Sequence, residues 1–235
     1  MTSARTDYAG HRMDLRESRI RKLLRLLEDE TPGRLLDVGC AGGELAALLA
    51  TRGWRVHGAE AEPALVEAAR ARGVEARAVD LDRAPLPWPA GAFDAVVAAE
   101  VIEHVVDTDH LLAEAARVLR PGGALVVTTP NLASLENRVR LLLGRYPVWM
   151  DVGVEGTGHL RYYTPRMLRH QLARHGLRVE RHVGNWVPLV PQRLLDDRRA
   201  PWLAITGDWW PSLAMGILMK ARREEGARYP QGGPK

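Results

Sequence analysis

Residues 35–43 read Leu35-Leu36-Asp37-Val38-Gly39-Cys40-Ala41-Gly42-Gly43. A short apolar run carries one acid and breaks into a glycine-rich turn, and an apolar helical pattern follows over Glu44–Thr51. Strand, glycine turn and helix in that order open a βαβ unit. Glycine lets the backbone approach a ligand and take conformations that other residues avoid. In an open α/β sheet such a turn sits at the carboxyl ends of the strands, near the point where strand order reverses, and ligands bind there.

The same alternation continues outward from this stretch. Arg55–Ala59 reads as a second strand ending at Glu60, and Pro63–Arg72 as a helix with proline in its first turn. Val74–Val79 is a third strand ending at Asp80. Phe93–Ala99 is a fourth strand without polar alternation, as burial on both faces requires. Asp107–Leu119 is a helix stopped by Pro121-Gly122-Gly123, and Ala124–Thr129 is a fifth strand. Later come helices at Leu132–Leu143 and Thr164–His175, the second with Thr164 as N-cap and Pro165 next. Strands are expected at Leu177–His182 and Leu213–Arg222, with a Gly-rich irregular stretch at 144–160 and an unassigned Trp- and Pro-rich stretch at 186–211.

Upstream, apolar residues from Met13 to Leu27 recur at helical spacing beneath an Arg-rich face, and Thr31-Pro32-Gly33 ends the helix. The expected architecture is α/β, a Rossmann-like doubly wound sheet with an N-terminal helix and a C-terminal acceptor lid. Residues 1–12 and 226–235 are expected to be flexible. Residues 13–225 form one domain, with a cofactor half at 33–130 and an acceptor-side insertion at 131–212.

Composition narrows the class. Hydrophobic residues at 46% and charged residues at 26% of 235 suit a soluble globular chain large enough for a sizeable core. The net charge of +4 is dispersed, without the basic tail or stripe of a dedicated nucleic-acid binder. A single cysteine, Cys40, excludes an internal disulfide framework and suits a reducing cytoplasm. The first residues lack the apolar core of a signal peptide, and no run reaches the roughly 18–20 apolar residues that span a bilayer.

Acids end the second and third strands beside the glycine turn. Glu60 is placed to accept from both hydroxyls of a ribose, and Asp80-Leu81 to hold an adenine. The turn is Gly-Cys-Ala-Gly-Gly, which departs from the G-x-G-x-x-G of dinucleotide folds. After the fourth strand, Glu100, Glu103 and His104 stand at i, i+3 and i+4, on one face if that segment is helical. Two carboxylates and an imidazole suit a divalent cation such as Mg²⁺, Mn²⁺, Zn²⁺ or Fe²⁺, with His159 as a fourth ligand. On spacing alone the blander reading is preferred: His104 shapes the pocket and Glu103 caps backbone groups.

The stretch 35–43, together with Phe93-Asp94-Ala95-Val96-Val97 and Arg117-Val118-Leu119-Arg120-Pro121-Gly122-Gly123, resembles the ordered motifs of class I S-adenosylmethionine-dependent methyltransferases. The resemblance covers residues 33–130 and implies strand order 3-2-1-4-5-7-6. It implies that Asp37 and Gly39 lie near the methionine part of the cofactor, Glu60 near the ribose, and Asp80 and Leu81 near the adenine. Cys40, Ala41, Gly42, Ala61 and Glu100 complete the expected cofactor contacts. Most relatives carry Asp where this chain has Glu60, and Glu can serve the same hydrogen bonds.

Glu-x-x-Glu-His, Thr129-Pro130-Asn131 and His159-Leu160-Arg161-Tyr162-Tyr163-Thr164-Pro165 resemble two O-methyltransferase groups. One acts on catechol-type intermediates of ubiquinone biosynthesis, the other on the 3′ ends of small RNAs. The resemblance implies metal ligands at Glu100, Glu103, His104 and His159, and raises metal binding above the blander reading. Catalysis is then assigned to Glu103, His104 and His159.

The preferred function is O-methylation of a small-molecule or glycan acceptor, including a vicinal diol or catechol chelated to the metal. The alternatives are metal-independent O- or N-methylation with a histidine base, RNA 2′-O-methylation, and a non-catalytic cofactor-binding protein. A monomer or homodimer is expected, and peripheral membrane contact is left open. Trp186, Trp202, Trp209 and Trp210, with Tyr146, Trp149, Tyr162 and Tyr163, supply an aromatic lid, although for any single Trp a core role is the stronger reading. Arg138, Arg140 and Arg145 read as a solvated helix face.

Overall fold

The computed structural model describes residues 17–150, 158–189 and 200–226. Of the ends expected to be flexible, 1–12 and 226–235, all but Gly226 lie outside the described residues, as do the first residues of the upstream helix. The decisive stretch forms β1 (Arg34–Val38), paired in parallel with β2 (Arg55–Glu60) on one side and β4 (Phe93–Ala99) on the other. With β3 (Glu75–Ala78), β5 (Leu119–Pro130), β6 (Leu177–Gly184) and β7 (Gly216–Arg223), the seven strands run β3-β2-β1-β4-β5-β7-β6, the expected order. Antiparallel β7 lies between β5 and β6. From β1 the chain winds outward both ways, so strand order reverses between β1 and β4, beyond Val38 and Ala99, where open α/β sheets bind ligands.

Side chains alternate across the sheet and so feed two cores. Leu36, Val38, Val96, Ala98, Leu125 and Val127 meet Leu111, Leu112 and Ala115 of α4 (Thr108–Val118), and Leu168 and Leu172 of α6 (Pro165–Arg174). Leu35, Ala95, Val97, Val126 and Leu218 face the other way. There they meet Leu45 and Leu49 of α2 (Glu44–Ala50), Val66 and Ala69 of α3 (Pro63–Ala71), and Ile20, Leu23, Leu24 and Leu27 of α1 (Ser18–Leu27). Each such buried Val, Leu or Ile side chain contributes roughly 1.5–3 kcal/mol.

Polar contacts also anchor α1. Lys22 donates to Gly184 O at 2.6 Å, Ala204 O at 2.5 Å and Asp208 Oδ1 at 2.8 Å. Fully buried Lys220 of β7 pairs with Asp29 at 2.6 Å and Glu30 at 2.5 Å, just beyond the helix.

Two insertions rise from the site edge of the sheet. The first follows β5 and holds α5 (Leu135–Leu142), shorter than the expected 132–143 because Ser134 caps it, accepting from Asn137 N. Thr164 caps α6 as expected, accepting from Met167 N at 3.3 Å, with Pro165 at the first position. The second insertion joins β6 to β7. It contains a 3₁₀ turn (Pro201–Leu203), α7 (Ala204–Trp209) and another 3₁₀ turn (Pro211–Leu213), so the last strand starts later than the expected Leu213. Val148 of the first insertion packs against Trp186, Ala200, Leu203 and Met215, which joins the two. Among the described residues, no helix is long and apolar enough to cross a membrane.

Candidate active site

The turn after β1 needs its glycine. Gly39 adopts φ +68°, and its N–H donates to Ala59 O at 2.7 Å. A Cβ there would lie 2.4 Å from Val101 Cγ2. Ala41, also at positive φ (45°), turns its N–H toward Glu60 Oε2 at 3.0 Å. The other Glu60 oxygen accepts from Ala61 N at 2.7 Å and Glu62 N at 3.0 Å, at the start of α3. One carboxylate therefore ties the glycine turn to the next helix. Gly42, whose carbonyl accepts from Arg72, completes the turn.

Asp37, on β1 just before this turn, is buried, with Oδ2 unpartnered among the described residues. Burial, then the Glu60 charge, pushes its pKa up to about 8. Burial likewise raises the Cys40 thiol well above its ordinary range, so Cys40 is a neutral wall and not a nucleophile.

At the end of β3, Asp80 Oδ1 accepts from Asp82 N at 3.0 Å, and half-buried Leu81 leans on the core. Asp82, missed in the sequence, accepts from Val106 N at 2.6 Å and Asp107 N at 2.9 Å. It thereby ties the loop after β3 to the loop after β4. Two acids closely spaced after a strand were the available signal.

Residues 100–104 are not the helical turn expected from their spacing. Glu100 takes φ +57°, and the chain turns instead of winding. As a result Glu100 is not a member of the metal-type group. Its carboxylate accepts from Thr128 Oγ1 at 2.7 Å and lies 3.3 Å from Arg19 Nη1 of α1. Arg19 is another residue that sequence reasoning missed.

The structure brings the other three together. Ligand atoms of Glu103, His104 and His159 all lie within 4.8 Å of one another. The reason is local: Glu103 O accepts from Leu160 N at 2.7 Å and Arg161 N at 3.1 Å, which pins the 158–161 segment beside the turn. The two imidazoles meet edge to face with centroids 4.8 Å apart. His104 Nδ1 lies 3.1 Å from Gly158 O, and His159 Nδ1 lies 2.9 Å from Trp149 O. A carbonyl can only accept, so each Nδ1 carries a proton, and each ring turns its Nε2 side away from that carbonyl.

Glu103 is wholly buried, and neither carboxylate oxygen has a hydrogen-bond partner among the described residues. Burial, then the Glu100 charge, raises its pKa well above the carboxylate range. An orphaned buried carboxylate beside two oriented imidazoles is costly unless a cation or a proton sits there.

Residues 10–182 match the family described as Methyltransferase domain. A demethylmenaquinone methyltransferase of Thermus thermophilus is 41% identical over 113 residues, 46% of this chain and 51% of that one. A ubiquinone biosynthesis O-methyltransferase of Xanthomonas oryzae pv. oryzae is 30% identical over 176 residues, 72% of this chain and 62% of that one. The matched stretches thus span between half and two thirds of those relatives. A SAM-dependent methyltransferase structure from Thermotoga maritima superposes with a TM-score of 0.65 at 20% identity, covering 88% of each chain, a likeness of fold.

Proposed function

This chain belongs to the methyltransferase-domain family as a class I S-adenosylmethionine-dependent methyltransferase, and from that premise we propose that it methylates a hydroxyl of a small-molecule acceptor. The observation that carries this reading is the buried Glu103 carboxylate beside the His104 and His159 rings, at the carboxyl end of β4. The relatives named ubiquinone biosynthesis O-methyltransferases support oxygen as the acceptor atom.

Asp37, Gly39, Cys40, Ala41, Gly42, Glu60, Ala61, Asp80, Leu81 and Glu100 are assigned to the methyl donor. Glu60 can exchange its Ala41 contact for the ribose hydroxyls while keeping Ala61 and Glu62. The acceptor is assigned to the space beneath the two insertions, within 131–212. The protein's contribution there is alignment of the acceptor oxygen with the sulfonium methyl. The C–S bond breaks as the O–C bond forms, and the hydroxyl proton must leave.

The donor set fits a divalent cation: one buried carboxylate and two imidazoles with ligand atoms within 4.8 Å of one another. Glu103, His104 and His159 would hold it, and such a cation lowers the pKa of a bound hydroxyl. A vicinal diol or catechol would suit that site. The Nδ1–carbonyl contacts favour a second reading on the same residues, in which Nε2 of His104 or His159 takes the proton directly.

Calorimetric titration of Mg²⁺ and Mn²⁺ into metal-stripped protein with S-adenosylhomocysteine bound, beside Glu103→Ala, tests the assignment. Saturable binding lost in the variant supports the metal reading, and absence of binding in both supports the histidine base. Unchanged turnover on vicinal diols and catechols in Glu103→Ala overturns the metal reading.

A further inference from the structure

Helix α5 does not behave as a surface helix should. Such a helix buries its apolar stripe and exposes its polar face. Here Asn137 is the buried residue, while Val139, Leu141, Leu142 and Leu143 are 46%, 56%, 87% and 63% exposed. Tyr146 and Trp149 follow, each about half exposed. Arginines interleave these apolar residues at 138, 140 and 145. The one acid between 135 and 146 is Glu136, which lies 3.6 Å from Arg140.

The second insertion also exposes large apolar side chains, around Asp208, which is paired with Lys22 and Arg25. Trp202, Trp209 and Trp210 are 65%, 62% and 49% exposed, with Ile205 exposed among them. Val148 packs into the Trp186 cluster and places both insertions side by side. Both spring from one edge of the sheet, where Pro130 pairs with Gly216 and Gly184 with Ile217. Exposed leucines, tryptophans and arginines are therefore gathered around the site edge.

We infer that this edge docks the enzyme on an anionic lipid surface, with Leu141–Leu143 entering the headgroup boundary. Leucine and tryptophan gain from the acyl boundary, and arginine from lipid phosphates. A lipid surface accepts both chemistries without demanding a matching shape. A second copy fits worse, since an isologous contact would turn Arg138, Arg140 and Arg145 toward their own copies. The docking rests on the surface alone and holds whichever proton acceptor the site uses.

Co-sedimentation of the full chain with phosphatidylcholine vesicles, with and without phosphatidylglycerol, tests this. Sedimentation with the anionic vesicles is expected, weakened by salt and weakened about tenfold or more by Leu142→Asp with Leu143→Asp. These side chains are exposed, so S-adenosylhomocysteine binding should be unchanged and certifies the fold. Arg138→Glu with Arg145→Glu should remove the preference for phosphatidylglycerol. Wild-type protein remaining in the supernatant overturns the inference, as does sedimentation indifferent to the leucine variant. So does a dimer seen by light scattering that the leucine variant dissociates, which would assign the patch to a second copy.

Discussion

The guanidinium of Arg19 lies 3.3 Å from the carboxylate of Glu100, so the first described helix is latched onto the turn that closes the fourth strand. Glu17, 3.0 Å away, holds the same guanidinium from behind. Burial works against the Arg19 charge, and the two acids more than offset it, leaving the pKa above its ordinary value. Arg19→Ala is expected to weaken S-adenosylhomocysteine binding about three- to tenfold, with Arg19→Lys recovering part. Calorimetry on the three proteins decides it, and equal affinities would show that the latch does not shape the donor site.

Gly39→Ala combines two penalties, a positive φ and a Cβ 2.4 Å from Val101. The expected loss is about 1–3 kcal/mol of stability together with donor binding. Adding Val101→Ala should return part of the stability, because it removes the clash and leaves only the backbone strain. Urea denaturation of the single and double variants separates the two terms.

Lys22 satisfies two backbone carbonyls and Asp208 from a nearly inaccessible position. Lys22→Met should cost about 2–4 kcal/mol, toward the lower end because Asp208 is partly hydrated. Lys22→Met with Asp208→Asn should cost less than the sum of the separate changes. Strict additivity in thermal denaturation would mean that the pair is not coupled.

Asp37 should make the donor-free protein less stable as pH rises from about 4 to about 8. Its folded pKa of about 8 stands above the ordinary 3.8, so the folded state holds the proton more tightly than the unfolded chain does. The associated stability is present in full below the unfolded value and is lost as pH rises through the folded one. Stability is therefore expected to decline across that interval, and Asp37→Asn should flatten the decline. Denaturant midpoints measured through the interval test this, and parallel slopes in the two proteins would contradict it.

What the sequence disclosed, and what it concealed, follows from the range of the forces involved. The fourth strand occupies Phe93–Ala99, the residues its apolar run marks, because burial on both faces writes itself into every position. The Thr164 cap and the glycine turn are equally local. By contrast, i, i+3, i+4 spacing brought Glu100, Glu103 and His104 onto one helical face, whereas the backbone at Glu100 enters the left-handed region. Its hydrogen bonds to Thr128, a neighbour only in the sheet, hold it there. His159 could be paired with His104 through family resemblance, but the contact that joins them is a backbone one to Glu103 O, which leaves no mark on composition. The tryptophans divide likewise: Trp186 is core, and Trp202, Trp209 and Trp210 are surface, a distinction set by partners as distant as Val148.

The Val148 contact also bears on how such an enzyme can diversify. The two insertions are far apart in the chain, yet each supplies part of the same apolar wall. A recombination event that exchanged one of them would leave Trp186 and Leu203 facing a mismatched neighbour and would open a void. On the proposed assignment, acceptor preference is then inherited as a matched pair of segments, and the half proposed to bind the donor can stay as it is. A graft intended to retarget the enzyme should carry both.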